Sequence, residues 1–357
     1  MELQDIKSMT LTEIQEAFIN DKLPKFRALQ VYQWLHRGVE SFDEMSNLSK
    51  ELREQLKGKY YISVATVEKK LVSNYDNTVK YLFSFADNCC VESVVMQYKH
   101  GYSICISTQV GCRMGCTFCA TGKSGFSRNL TASEMLAQIQ SAQKDLGIQI
   151  SNIVLMGMGE PLDNYQQVLR FLELVSSDEG MNIGMRHISV STCGIVDKIY
   201  DMANRKLQCT LSVSLHAPND NLRSQTMPIN KKWGVAQLLK ACKYYSDTTR
   251  RRISFEYAMI SGFNDSDAQA QELVGKLKGI LSHVNLIPVN DVTGNEYKKS
   301  SAQRLHAFCS ILEKHGITAT VRRTLGSDIQ ASCGQLQRRY KEDLIIFHAM
   351  VKLRLLE

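Results

Sequence analysis

The sequence predicts an α/β fold: an open, partial (β/α)6 barrel preceded by a small helical domain and a β connector. Three changes of pattern along the chain predict it. Residues 1–60 space their apolar side chains as helices do, residues 61–98 switch to period-two alternation, and residues 99–340 repeat short strands followed by helical patterns or loops. Such alternation favours a parallel sheet with outer helices, and six units fall short of the eight of a closed barrel, which leaves a wide mouth.

Over 24–38, Ala28, Val31, Tyr32 and Leu35 fall at i, i+3, i+4 and i+7, predicting a helix with one buried face, with Lys22, Lys25, Arg27 and Arg37 around it. Leu48, Leu52 and Leu56 mark a second helix. The basic residues of this domain suit packing against the body and gripping an RNA backbone equally well. In the connector, Val79, Tyr81, Phe83 and Phe85 alternate with their neighbours, although Leu82 spoils the second face, and 91–98 reads as another strand. The strand at 103–107 opens the barrel. Thr131 and Glu134 form a capping box for a helix that turns Met135, Ile139, Ala142 and Leu146 inward and ends at Gly147. Further strands follow at 152–156, 187–192, 210–215, 252–260 and 284–289. The tail, 341–357, spaces Leu344, Phe347, Val351 and Leu355 as a docking helix would.

Composition narrows the function classes. With 357 residues, 44% apolar and 22% charged, the chain can build one large domain with an appendage, and global disorder is excluded. Apolar runs such as 344–347 are too short to cross a bilayer. The amino end lacks a basic segment followed by an apolar one, so no secretory signal is expected and the protein is read as cytoplasmic, its eleven cysteines reduced. The formal charge of +7 is modest, yet basic residues gather at Lys231-Lys232, Arg250-Arg251-Arg252, Lys298-Lys299, Arg322-Arg323 and Arg338-Arg339. Such pairs are usually solvated faces, and only a contiguous patch would bind phosphates.

The chemistry centres on Cys112, Cys116 and Cys119, spaced C-x3-C-x2-C right after the first barrel strand. Soft thiolates at this spacing suit an iron–sulfur cluster or zinc. A structural zinc site would usually draw further ligands from a second pair of Cys or His, and none follows at the expected distance. Three ligands on a four-iron cluster leave one iron open to a small molecule, and this spacing, with Phe118 before the last Cys, resembles the signature of radical S-adenosylmethionine (SAM) enzymes. Gly157-Met158-Gly159-Glu160-Pro161 ends the next strand. Its glycines would admit a ligand close to the backbone, and Glu160 could hold an ammonium group. Ser191, Ser214, Leu215, His216 and Asn290 also close strands and complete a polar ring around one mouth.

Taken with Cys105, the cluster loop, STCG at 191–194, SLHAPND at 214–220, NLIPVN at 285–290 and SDIQASCGQL at 327–336, the chain resembles the RlmN/Cfr family of radical SAM RNA methyltransferases. The likeness runs from Lys25-Phe26-Arg27 and Asn47-Leu48-Ser49-Lys50 to Leu336, and Pro161 favours the RlmN branch. That resemblance implies a [4Fe-4S] cluster on Cys112, Cys116 and Cys119, and SAM held by Gly159, Glu160, Ser191, Ser214, Leu215, His216 and Asn290. It implies methylation at C2 of an adenosine in the peptidyl-transferase centre of 23S rRNA, with tRNA near the anticodon as a second substrate of some members. The sister activity, at adenine C8, stays open as the alternative.

The implied chemistry gives two more cysteines a role. Adenine C2 is electron-poor and its C–H is not acidic, so direct attack on the SAM methyl fails and a radical route is needed. In the family two SAM molecules serve each turnover: one methylates the cysteine matching Cys333, and cleavage of the second activates that methyl group. The cysteine matching Cys105 then closes a disulfide with Cys333 and releases the product, and the residue matching Glu92 accepts the C2 proton. A reductant such as flavodoxin, RNA as partner, no membrane association and a monomeric state are expected with it.

Overall fold

The computed structural model describes residues 3–123, 125–289, 297–329, 331 and 336. In the amino-terminal part a two-residue strand, β1 (Gln4–Asp5), leads to α1 (Leu11–Asn20), α2 (Lys25–His36), α3 (Lys50–Lys57) and β2 (Tyr60–Tyr61), which pairs in parallel with β1. Thr10 caps α1 and exchanges hydrogen bonds with Glu13 in a capping box; Ile14 and Phe18 are its buried residues. On α2 the four apolar residues expected to be buried are buried. Helix α3 begins only after Ser49, whose hydroxyl accepts the amide of Leu52, so Leu48 is a buried residue of the preceding turn rather than of the helix.

The strands β3 (Thr66–Val72), β4 (Val79–Ser84) and β5 (Cys90–Tyr98) form an antiparallel meander that continues into β6 (Gly101–Cys105). From β6 onward the pairing is parallel, through β9 (Ile150–Leu155), β10 (Ile188–Thr192), β11 (Thr210–Ser214), β12 (Ile253–Met259), β13 (Ser282–Pro288) and β14 (Thr318–Val321). A small antiparallel pair, β7 (Gln109–Gly111) with β8 (Phe126–Asn129), flanks the cluster loop and the short α4 (Ala120–Lys123). The remaining helices are α5 (Ala132–Leu146), α6 (Tyr165–Val175), α7 (Val196–Asn204), α8 (Asp220–Thr226), α9 (Val235–Thr249), α10 (Asp267–Leu277) and α11 (Ala302–Lys314).

The six barrel strands expected from the sequence are β6 and β9 to β13. Strand β14 adds a seventh parallel member, and the connector is no separate layer but the antiparallel end of the same ten-stranded sheet, in the order β14-β13-β12-β11-β10-β9-β6-β5-β4-β3. Both β5 and β14 line one cavity of about 460 Å³, so the sheet curls around it. Strand β4 is buried on both faces. Val79, Tyr81 and Phe83 belong to the main core, whereas Leu82 packs with Cys90 and Leu336, so the later chain covers the face that Leu82 seemed to spoil.

The helical domain shares that main core. Lys7 is buried and its ammonium donates to Gln140 Oε1 of α5 at 2.9 Å, Gln140 in turn donates to the Leu35 carbonyl, and Glu13 pairs with Arg170 of α6 at 2.6 Å. Its role as a brace on α5 and α6 is therefore built in. Among the described residues no helix is long and apolar enough to cross a membrane. The expected tail helix, 341–357, lies outside the described residues.

Candidate active site at the carboxyl ends of the parallel strands

The cluster loop leaves β7 through Gly111, whose φ of +81° and the approach of Gly125 demand glycine: a Cβ there would lie 1.9 Å from the Gly125 carbonyl oxygen. The amide of Cys112 donates to that same oxygen at 2.8 Å, and the amide of Thr117 to the Thr226 carbonyl at 3.0 Å, so both ends of the loop are tied down. Burial pushes the Cys112 thiol up to about 12 and raises that of Cys116 further, and in both the nearby Cys119 adds to the rise. Crowding buried thiols together penalises their ionised forms unless a cation joins them. No three His, Cys, Asp or Glu side chains among the described residues converge as ligands of a single metal ion. The donor set itself, three neighbouring thiols without a carboxylate or imidazole among them, fits the iron–sulfur cluster that the spacing implies.

The Gly157–Pro161 turn sits against the start of this loop. The fold itself requires both glycines: a Cβ at Gly157 would meet the Ile106 carbonyl at 2.5 Å, and one at Gly159 (φ +103°) would meet Gln109 Cβ at 2.6 Å. The Gln109 carboxamide accepts from the Glu160 amide at 2.9 Å and donates to Asp163 and Asn129, binding turn and strand together. The Glu160 carboxylate is buried and accepts from the amides of Cys193 (2.7 Å) and Leu162 (3.0 Å). Burial raises its pKa and these bonds oppose the rise.

Ser191 is buried on β10 opposite Ser212, while Ser214 and His216 line the cavity at the end of β11. Leu215 is fully buried beside them. His216 takes a left-handed φ of +56°, and its Nδ1 accepts the Ala258 amide at 2.8 Å, which leaves the ring proton on Nε2. Burial, reinforced by Arg223, drives its pKa down to about 3, so the ring is neutral. It meets Phe118 of the cluster loop edge-on, centroids 4.8 Å apart. Asn290 lies outside the described residues.

Arg223, on α8, escaped the sequence reading. Its guanidinium is completely buried and donates to the carbonyls of Cys193 (2.6 Å), Ser214 (3.0 Å) and Leu215 (3.1 Å) and to Asn230 Oδ1 (2.9 Å). One side chain thus fixes the loops after β10 and β11. Its only sequence signal is a long cation placed shortly after a strand end, which a surface helix would share. Glu256 was missed as well: it lines the cavity from β12, fixed by Asn285 (2.7 Å) and Ser254 (2.9 Å).

Cys105, the last residue of β6, lines the same cavity as Cys119. It packs with Val94 and Met96, with Leu325 and Ala331 against them. Cys333, two residues beyond Ala331 in the chain, lies outside the described residues. Glu92 is no surface strand residue. It is buried on β5 and paired with Lys80 of β4 at 2.9 Å, on the sheet face that carries Val94 and Met96 farther along toward the cavity.

Comparison with known proteins accords with this arrangement. Residues 106–274 match the Radical SAM superfamily, and residues 4–62 match the Ribosomal RNA large subunit methyltransferase N-terminal domain. The chain is 52% identical over 343 residues to a probable dual-specificity RNA methyltransferase RlmN of Alkaliphilus oremlandii, covering 96% of this chain and 100% of that one. The chain belongs to the RlmN family of radical SAM methyltransferases. A second RlmN relative, from Clostridium novyi, is 51% identical across 95% of this chain and 99% of its own. The crystal structure of a radical SAM methyltransferase from Sphaerobacter thermophilus superposes with a TM-score of 0.89 at 42% identity, covering 93% of this chain and 98% of that one. The mixed α/β radical SAM fold with its amino-terminal domain is common to this RlmN-family chain and that structure.

Proposed function

We propose that this RlmN-family protein methylates C2 of adenosine in 23S rRNA, and in tRNA near the anticodon, by way of a methylated Cys333. The observation that carries this reading is that Leu325 and Ala331, at the start of the segment that bears Cys333, pack against the cluster of Val94, Met96 and Cys105 and line with Cys105 a cavity that also reaches Cys119. When bound, the cluster and SAM supply the methyl group and the radical chemistry that an unactivated ring carbon requires. Cys112, Cys116 and Cys119 would hold the cluster, and Glu160 would accept hydrogen bonds from the SAM ammonium, with Gly159, Ser191, Ser214, Leu215, His216 and Asn290 as the remaining contacts. Cys333 carries the carbon to the base, Glu92 accepts the C2 proton, and the Cys105 thiolate attacks the Cys333 sulfur. That attack forms the S–S bond and breaks the S–C bond, whose electron pair stays with the carbon and takes up a proton.

Two SAM molecules per turnover, an external low-potential reductant such as flavodoxin, a cytoplasmic location and a monomeric enzyme complete the proposal. The test is anaerobic incubation with SAM, a reductant and either a 23S rRNA fragment or tRNA, followed by nucleoside mass spectrometry against authentic 2-methyl- and 8-methyladenosine. 2-Methyladenosine is expected from both RNAs. 8-Methyladenosine, or no modified adenosine, would overturn the reading.

A further inference from the structure

The β3–β4 and β5–β6 hairpins end side by side at the rim of the cavity. Asn77 donates to Gln97 across them at 3.3 Å, and the pairing of Val79 with Val95 continues toward both tips. Those tips carry exposed aromatic rings. Tyr75 is 76% exposed, Tyr98 is 37% exposed and lines the cavity, and the exposed His100 stacks on Tyr98 with centroids 5.3 Å apart and planes 9° from parallel. Exposed rings at a hairpin tip earn little from the core, and stacking on each other leaves an outer π-face bare. Opposite them on the same cavity stand the exposed Arg322 and Arg323, beyond β14.

The basic pairs of the chain sort by end of the sheet. Arg250, Arg251 and Arg252 precede β12, whereas Arg322-Arg323 follow β14 and Lys299 bridges Ile260, just past the end of β12. Aromatic and cationic side chains therefore meet at the mouth. An enzyme that works on a ring carbon of a base must take that base out of its stack, and its neighbours lose a stacking partner with it. A flat ring flanked by guanidinium groups replaces that partner, because every base presents a π-face and every nucleotide a phosphate.

We propose that the Tyr98–His100 stack is a docking platform for an unpaired nucleobase next to the target adenosine, with Arg322 and Arg323 facing its phosphates. The inference rests on the reading of the protein as an RNA methyltransferase, and adds the surface on which single-stranded RNA is seated.

The test is fluorescence anisotropy of the full chain with labelled single-stranded oligoribonucleotides taken from the rRNA target and from a tRNA anticodon loop. Loss of one stacked base weakens binding about tenfold or more, so Tyr98→Ala should show that loss while Tyr98→Phe, which keeps the ring, stays within about twofold. Loss on one RNA alone identifies the source that the platform serves. Photo-cross-linking of the unmutated protein to a 5-iodouridine scanned along the RNA, with the adduct mapped to Tyr98 or His100, supports the same conclusion without relying on a variant that folds. Full affinity of a folded Tyr98→Ala, or cross-links only elsewhere, would overturn the inference. Neither assay reads methylation, so a protein that binds this way but makes no 2-methyladenosine would sink the activity and leave the platform standing.

Discussion

The Lys80–Glu92 pair shows how much one residue's neighbour decides. Both side chains are about 1% exposed and 2.9 Å apart, on adjacent antiparallel strands. Removing one partner of such a pair strands a charge and typically costs about 3–5 kcal/mol, whereas replacing both with apolar groups is often nearly neutral. Lys80→Met should therefore destabilise the protein by about that amount, and the double variant Lys80→Met, Glu92→Leu should recover most of it, as denaturant unfolding would measure. If Glu92 accepts the C2 proton, the recovered fold should still make no product. A double variant that unfolds as easily as Lys80→Met would refute the ion-pair account, and one that methylates RNA would remove Glu92 from the chemistry.

At the scale of elements, the cluster loop depends on a glycine more than on any apolar contact. Gly111→Ala drives a Cβ into the Gly125 carbonyl and denies a favourable backbone angle, so the loop should open while the barrel stays folded. The measurement is iron per chain after anaerobic reconstitution beside the far-UV spectrum, with most of the iron lost and the spectrum kept. Wild-type iron content would contradict it. The helical domain gives a second prediction. His36, at the end of α2, is buried and its pKa is lowered to about 4, chiefly by burial and then by Lys7. Between pH 6.5 and 4 the unfolded chain binds a proton there that the folded chain refuses, so stability rises with pH across that window and falls by about 3 kcal/mol on acidification. Comparing unfolding free energies at several pH values, His36→Phe should flatten this slope; an unchanged slope would assign the acid loss to other groups. Much of this organisation was legible in advance, because Cys112, Cys116 and Cys119 lie close in sequence and the six strands are short segments rich in apolar and β-branched residues. What was not legible depended on distant partners or weak patterns. Strand β3 is an exposed edge rich in Glu and Lys, β14 has only four residues, and Arg223 looks like any surface helix cation until its three carbonyl partners, on two other loops, are known.

Across the whole molecule, the sheet is closed by side chains rather than by strands. The connector and the last part of the barrel chain meet where Asp328 accepts from the Ser73 hydroxyl (2.7 Å) and the Asn74 amide (2.8 Å), and where Asp76 accepts from the Gly326 amide (2.8 Å). These bonds span about 250 residues and hold the approach to Cys333 against the β3–β4 hairpin. They lie at the surface, one exposed and two partly buried, so they should contribute little to global stability and much to where the segment sits. Asp328→Ala should accordingly leave the unfolding midpoint nearly unchanged. RNA methylation should fall by about tenfold or more, since displacement of a reacting group by an ångström can cost about a hundredfold, while deoxyadenosine formation in the absence of RNA, which needs only the cluster loop and SAM contacts, should persist. Asp328→Asn, which keeps one acceptor oxygen, should retain more methylation than Ala. Equal loss of both activities would mean that the substitution disturbs the cluster side of the cavity, and full methylation by Asp328→Ala would show that the segment finds Cys105 without the latch.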